Sequence, residues 1–198
     1  MAESGIRTRV AGLIEPRIRS CSFCSFCDFA LKLGYTPIMA LPHILESSAI
    51  FSPDRIYRYS LTRVWDRDRP CICFVMLNPS AADDTINDPT IRRCIGFSND
   101  WGCGSIVVVN LFAYRTHDPR VLATVQDPFG AENEKHITEA VASCSLTMAA
   151  WGVHGHAHES ACRLLSRLPD PYCLGVTKHG APRHPLYVDG AAKPTPYR

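Results

Sequence analysis

An α/β domain with a mostly parallel central sheet is the fold class this sequence predicts, and three observations predict it. Cys71-Ile72-Cys73-Phe74-Val75-Met76-Leu77 and Ser105-Ile106-Val107-Val108-Val109-Asn110-Leu111 are near-continuous apolar runs, as expected of strands buried on both faces. A stretch of helical period separates them. Strand-like and helix-like segments then keep alternating as far as Thr177, the order of a sheet built through helical crossovers.

Each element has its own warrant. Tyr57-Arg58-Tyr59-Ser60-Leu61 alternates like a half-buried strand, and Asp66-Arg67-Asp68-Arg69-Pro70 is a turn before the first apolar run. The helix after that run has Asp88 as its N-cap and Pro89 at its first position. Ile91, Ile95, Ser98 and Trp101 share one side of it, and Gly102 and Gly104 end it. After the second run, Asp118-Pro119 opens a short helix and residues 131–143 form a longer one. Residues 145–151 predict a third strand, 157–168 a helix and 172–177 a last strand. Residues 1–50 mix Arg, Cys and Phe without a period and are expected to be an N-terminal extension, poorly ordered or a mis-assigned start preceding Met39. Residues 51–190 form the expected single domain, and 191–198 a loose tail.

Composition narrows the function. The 198 residues are 46% hydrophobic and 20% charged, which excludes a disordered or fibrous chain. No run approaches the roughly 20 apolar residues of a bilayer-spanning helix. No apolar segment of a secretory signal follows Arg7 and Arg9, so a cytoplasmic protein with no membrane partner is expected. Net charge is only +2, yet 17 Arg stand against 4 Lys. That skew fits a phosphate-bearing partner or simply an Arg-favouring codon usage. Of ten cysteines, Cys21, Cys24 and Cys27 have metal- or cluster-like spacing but lack a nearby fourth ligand. Most of the others fall in apolar segments, where a free thiol packs as a small hydrophobe.

Open α/β sheets bind ligands beyond the carboxyl ends of their strands. The first buried strand ends in Asn78-Pro79-Ser80, with Asp83 and Asp84 beyond; the second ends in Asn110, then Tyr114 and Arg115. The third ends in Trp151-Gly152, followed by His154, His156 and His158, and the last leads to Pro182-Arg183-His184-Pro185. Asn78-Pro79 also reads as a plain turn, Asn110 as a buried amide satisfied by backbone, and the three histidines as a helix start or a metal site. His184 is a stiff loop position suited to structure or to proton chemistry.

From about Ser52 to Tyr187 the chain resembles domain-of-unknown-function family 1643. Phe51-Ser52-Pro53-Asp54, Met76-Leu77-Asn78-Pro79-Ser80, Asp88-Pro89-Thr90-Ile91-Arg92-Arg93, Val109-Asn110-Leu111-Phe112 and Pro182-Arg183-His184-Pro185-Leu186-Tyr187 carry that likeness. More distantly, the order Asn78-Pro79, Val107-Val108-Val109-Asn110, Trp151-Gly152 and His184-Pro185 is similar to the uracil-DNA glycosylase superfamily. Met76-Leu77 replaces that superfamily's glycine-led first motif, and Ser-Pro does not follow His184-Pro185. The resemblance implies a three-layer α/β/α fold and an N-glycosidic-bond hydrolase acting on a nucleobase in nucleic acid or a nucleotide. It implies that His184 stabilises the departing base, Asn78 orients water and Asp83 or Asp84 serves as base. Asn110, with Pro79, Ser80, Trp151 and Arg183, would hold the base or nucleotide, and Arg92, Arg93 and Arg115 its phosphates. No cofactor is expected. A binding module without catalysis, and a metal hydrolase built on His154, His156 and His158, are the alternatives.

Overall fold

The computed structural model describes residues 41–154 and 166–197. Seven strands form one sheet: β1 (Glu46–Phe51), β2 (Arg58–Val64), β3 (Cys71–Met76), β4 (Ser105–Asn110), β5 (Leu146–Ala149), β6 (Tyr172–Cys173) and β7 (Thr195–Pro196). Their order is β1-β2-β4-β3-β5-β6-β7. The pairings β4-β3, β3-β5 and β5-β6 are parallel, whereas β1-β2, β2-β4 and β6-β7 are antiparallel. The sheet is therefore mixed, which corrects the expectation of a mostly parallel one. The cause is the connections: β1 and β2 are joined by a turn too short for a crossover, and such a link permits only antiparallel pairing.

Two helices supply the crossovers that the described residues contain. α1 (Pro89–Asp100) begins where expected, with Asp88 accepting from the Ile91 amide at 2.8 Å and Pro89 at the first position. Its Ile91, Cys94, Ile95 and Phe97 pack on Ile72, Phe74 and Met76 of β3 and on Ile106 and Val108 of β4. α2 (Asn133–Ser143) covers the other face, where Ile137 and Ala140 meet Cys73, Val75 and Val109. Alternate residues of β3 thus enter two different cores, so the strand has no polar face to show. At the end of α1 the backbone of Gly104 is pressed on the 65–70 turn. A Cβ there would lie 1.9 Å from the Asp66 carbonyl oxygen, so only glycine fits.

Several boundaries differ from expectation. β1 lies inside the stretch that shows no period, because an exposed edge strand such as Glu46-Ser47-Ser48 needs no apolar alternation. The last strand stops at Cys173: Gly175 at φ +100° turns the chain out of the ladder, and Val176 bridges back to Pro182. The tail is not loose, since β7 pairs with β6 and Tyr197 packs edge-on against Trp151 at 5.6 Å. Cys73, Cys94, Cys103 and Cys173 are buried free thiols, as their apolar settings predict. Cys71, at the start of β3, and Cys144, just before neighbouring β5, bring their sulfurs to 2.9 Å, and that contact, with burial, raises the Cys71 thiol. No helix among the described residues is long and apolar enough to cross a membrane. The Cys21-Cys24-Cys27 run and most of the 157–168 helix lie outside the described residues.

Candidate active site

Because β3, β4 and β5 run parallel, their carboxyl ends open on one rim, and a cavity of about 540 Å³ lies there. That volume suits a small organic ligand. Seven of the expected residues line it: Asn78, Ser80, Asn110, Trp151, His154, Arg183 and His184.

Asn78 follows β3, and its side-chain Nδ2 donates to the carbonyls of Thr116 at 2.7 Å and Pro79 at 3.1 Å. A flipped amide would set its oxygen against two carbonyl oxygens, so Oδ1 is the atom left to accept from a ligand. Pro79 acts through its backbone, taking the Thr116 amide at 3.0 Å and fastening this loop to the one after β4. Ser80 Oγ lies 2.9 Å from His117 Nδ1.

Asn110 is the last residue of β4 and is fully buried. Its backbone carbonyl accepts from Asn133 Nδ2 at 3.0 Å, but its own Nδ2 has no partner among the described residues. Burying an unsatisfied amide donor costs about 1–3 kcal/mol, which a ligand acceptor would recover. Such an orphan facing a cavity is a functional signal.

His184 sits in the loop after β6 and caps the short 3-10 turn Pro185–Tyr187, its Nδ1 accepting from the Leu186 amide at 3.3 Å. A neutral imidazole accepting at Nδ1 carries its proton on Nε2. Burial pushes the His184 pKa below its ordinary 6.5, with nearby Asp88 partly opposing the shift. The ring is therefore a neutral donor at physiological pH. Gly152, at φ +72°, donates its amide to the Pro182 carbonyl at 3.0 Å and leaves only 3.5 Å between a notional Cβ and His184 Cβ. The Trp-Gly pair thus seats the histidine loop against the end of β5.

Other expected residues are placed elsewhere. Asp83 is no base for this cavity: its Oδ1 accepts from the Thr85 amide and hydroxyl and the Ile86 amide, which together hold its pKa down at about 2. Neither it nor Asp84 lines the cavity. Arg92 is exposed and turns back to the Asn87 carbonyl. Arg93 is a strut, stacked 4.6 Å over Phe97 and donating to the carbonyls of Pro185 and Val188. It holds the His184 loop on α1 and lines neither concavity. Arg115 faces an adjoining concavity. His154 alone of the three histidines falls within the described residues, on the main cavity's wall; His156 and His158 lie outside them. Among the described residues no three candidate ligands cluster to hold a metal.

Two lining residues escape the strand-end reasoning. Arg58 opens β2, is buried, donates from Nη1 to the Ala82 carbonyl at 2.7 Å and leaves Nε without a partner among the described residues. Burial lowers its pKa to about 10, so it stays charged. β2 is antiparallel to β4, so its beginning, not its end, reaches the rim. Asp88 also lines the cavity, with Oδ1 committed to the α1 cap and no hydrogen bond to Oδ2 among the described residues. Its field reaches both Arg58 and His184. Arg63 fixes the loop before it, reaching Asn87 Oδ1 at 2.8 Å and the Asp83 carbonyl at 2.5 Å. The N-cap pattern identifies Asp88 as structural, and nothing in sequence alone marks its second oxygen.

No curated protein and no solved structure matches the chain. The family described as protein of unknown function (DUF1643) matches residues 58–186, well over half of the chain, including every strand end that builds the cavity. By that match the chain belongs to the DUF1643 family.

Proposed function

We propose that this chain hydrolyses an N-glycosidic bond, releasing a nucleobase from a nucleotide or nucleic acid. The observation carrying the proposal is the convergence of Asn78, Asn110 and His184, from three separate strand ends, on one cavity with the Asn110 donor unpartnered. The uracil-DNA-glycosylase-like motif order and the helices on both sheet faces agree with it.

The chemistry follows from charge. Breaking the C–N bond leaves positive charge on the sugar and negative charge on the base. A neutral His184 Nε2–H donates to the base anion as it forms, where a fixed donor in a dry site is worth most. Asn110 reads the base edge through Nδ2 and Oδ1. Asp88 Oδ2 is the carboxylate that takes the role expected of Asp83, facing the cationic sugar and accepting the proton of the attacking water. Asn78 Oδ1 orients that water. Its hydroxyl ends on the sugar carbon and its proton on the released base. A base in duplex would first be flipped out.

The test is incubation with a panel of ordinary and modified nucleotides and oligonucleotides, with base release read by mass spectrometry. Release by wild type and loss in His184→Ala and Asp88→Asn are expected. Tight binding with no release would replace hydrolysis by non-catalytic nucleotide binding, a reading favoured by the amide at position 78 where a strong base would otherwise stand.

A further inference from the structure

Beside the main cavity lies a second concavity of about 320 Å³, sharing the wall Ser80-Thr116-His117 with it. Arg55 and Arg115 project there. Both guanidinium groups rest on one ring: their carbons lie 4.0 Å and 5.0 Å from the Phe51 centroid, so they are no farther apart than the sum of those distances. Two like charges held on one aromatic ring repel unless an anion joins them.

None does among the described residues. Among the described residues neither Arg55 nor Arg115 closes an ion pair, a state they share with Arg58, Arg63, Arg92, Arg93 and Arg183; what sets these two apart is that they meet on one ring. The nearby carboxylates turn one oxygen to their own turns, Asp54 Oδ1 to Ser52 Oγ and the Ile56 amide and Asp83 Oδ1 to the Thr85 and Ile86 amides; Asp83 feels the charge of Arg55 but forms no ion pair with it. Arg115 Nε is buried without a partner among the described residues, while its Nη1 donates to the Arg55 carbonyl at 3.1 Å. Arg55 itself is held at φ +59°, a strained conformation for a side-chain-bearing residue, by the Ser52–Asp54 turn. Strain retained where two cations meet without an ion pair points to a site.

We infer that Arg55 and Arg115 form a phosphate subsite, so that the ligand of the main cavity is a phosphorylated nucleoside: base beside Asn110, sugar over the shared wall, phosphate between the two guanidinium groups. This inference rests on the nucleobase reading of the main cavity. Planar guanidinium forks suit phosphate oxygens, and Ser80 and His117, 2.9 Å apart on the wall, add further hydrogen-bonding groups.

The experiment is isothermal titration of the intact chain with each common nucleoside, its 5′-monophosphate, and inorganic phosphate alone. The monophosphate is expected to bind at least about tenfold tighter than its parent nucleoside, the scale of one charge-assisted bidentate contact. Arg55→Gln with Arg115→Gln removes that gain and leaves nucleoside affinity, which also reports an intact fold. A gain that survives the double substitution, or no gain at all while nucleosides bind, overturns the subsite and spares the base reading. Phosphate binding that the substitutions abolish, with no nucleoside bound, keeps the subsite and overturns the base reading. No binding of any probe overturns both. A single-stranded oligonucleotide run alongside assigns the phosphate to a strand if it matches the gain, and to a free nucleotide if it does not.

Discussion

At Asn110 the needs of folding and of binding oppose each other. A buried amide nitrogen without a partner weakens the fold, and the same atom is the donor a base edge would take. Asn110→Ala is therefore expected to alter stability by less than about 1 kcal/mol, or to raise it, while cutting nucleobase affinity about tenfold or more; chemical denaturation and titration check the two halves. His184 carries a pH signature. Its folded pKa lies below the ordinary 6.5, so its contribution to stability is complete above that value and is lost as pH falls toward the lower folded one. Base release should follow the same acid limb, and a pH–rate profile of wild type against His184→Gln measures it. Asp83 behaves as a structural carboxylate: its contribution is present above 3.8 and disappears as pH falls toward about 2. Asp83→Asn should lower acid resistance and leave turnover intact, read by acid unfolding and by activity. The asparagines and His184 were readable in sequence because each closes an apolar strand or a stiff Pro-bounded loop. Asp83 was misread because proximity in sequence does not say which way a turn aims its carboxylate.

Elements show why some boundaries were plain and others hidden. β3, β4 and α1 are written in burial: two apolar runs and a capped, Pro-initiated helix leave little choice of conformation. β1 and β7 are edge strands held by backbone pairing, so their side chains carry no periodic mark. Arg93 couples two elements that the sequence keeps far apart. It lies on α1 and grips the carbonyls of the loop that carries His184. Arg93→Ala should cost about 1–3 kcal/mol of stability through lost charge-assisted hydrogen bonds. It should also weaken ligand binding more than a surface arginine such as Arg120 does, a comparison that thermal melting and titration make directly.

On the scale of the whole molecule, the mixed sheet decides what the cavity contains. Parallel central strands deliver carboxyl ends to the rim, and antiparallel β2 delivers its start, so Arg58 arrives where strand-end reasoning does not look. The tail packs behind a cavity wall, with Tyr197 edge-on to Trp151 and its hydroxyl donating to the Gly180 carbonyl at 3.1 Å. Removing residues 191–198 should lower the melting temperature by several degrees, roughly what loss of an aromatic pair and a short strand costs. The placement of the three tryptophans has an optical consequence. Trp65 and Trp101 are buried in the core on one sheet face, whereas Trp151 belongs to the other core and alone borders the cavity. A chain carrying Trp65→Phe and Trp101→Phe would emit from Trp151 alone, and its fluorescence would report occupancy of the cavity without any label or any knowledge of the ligand.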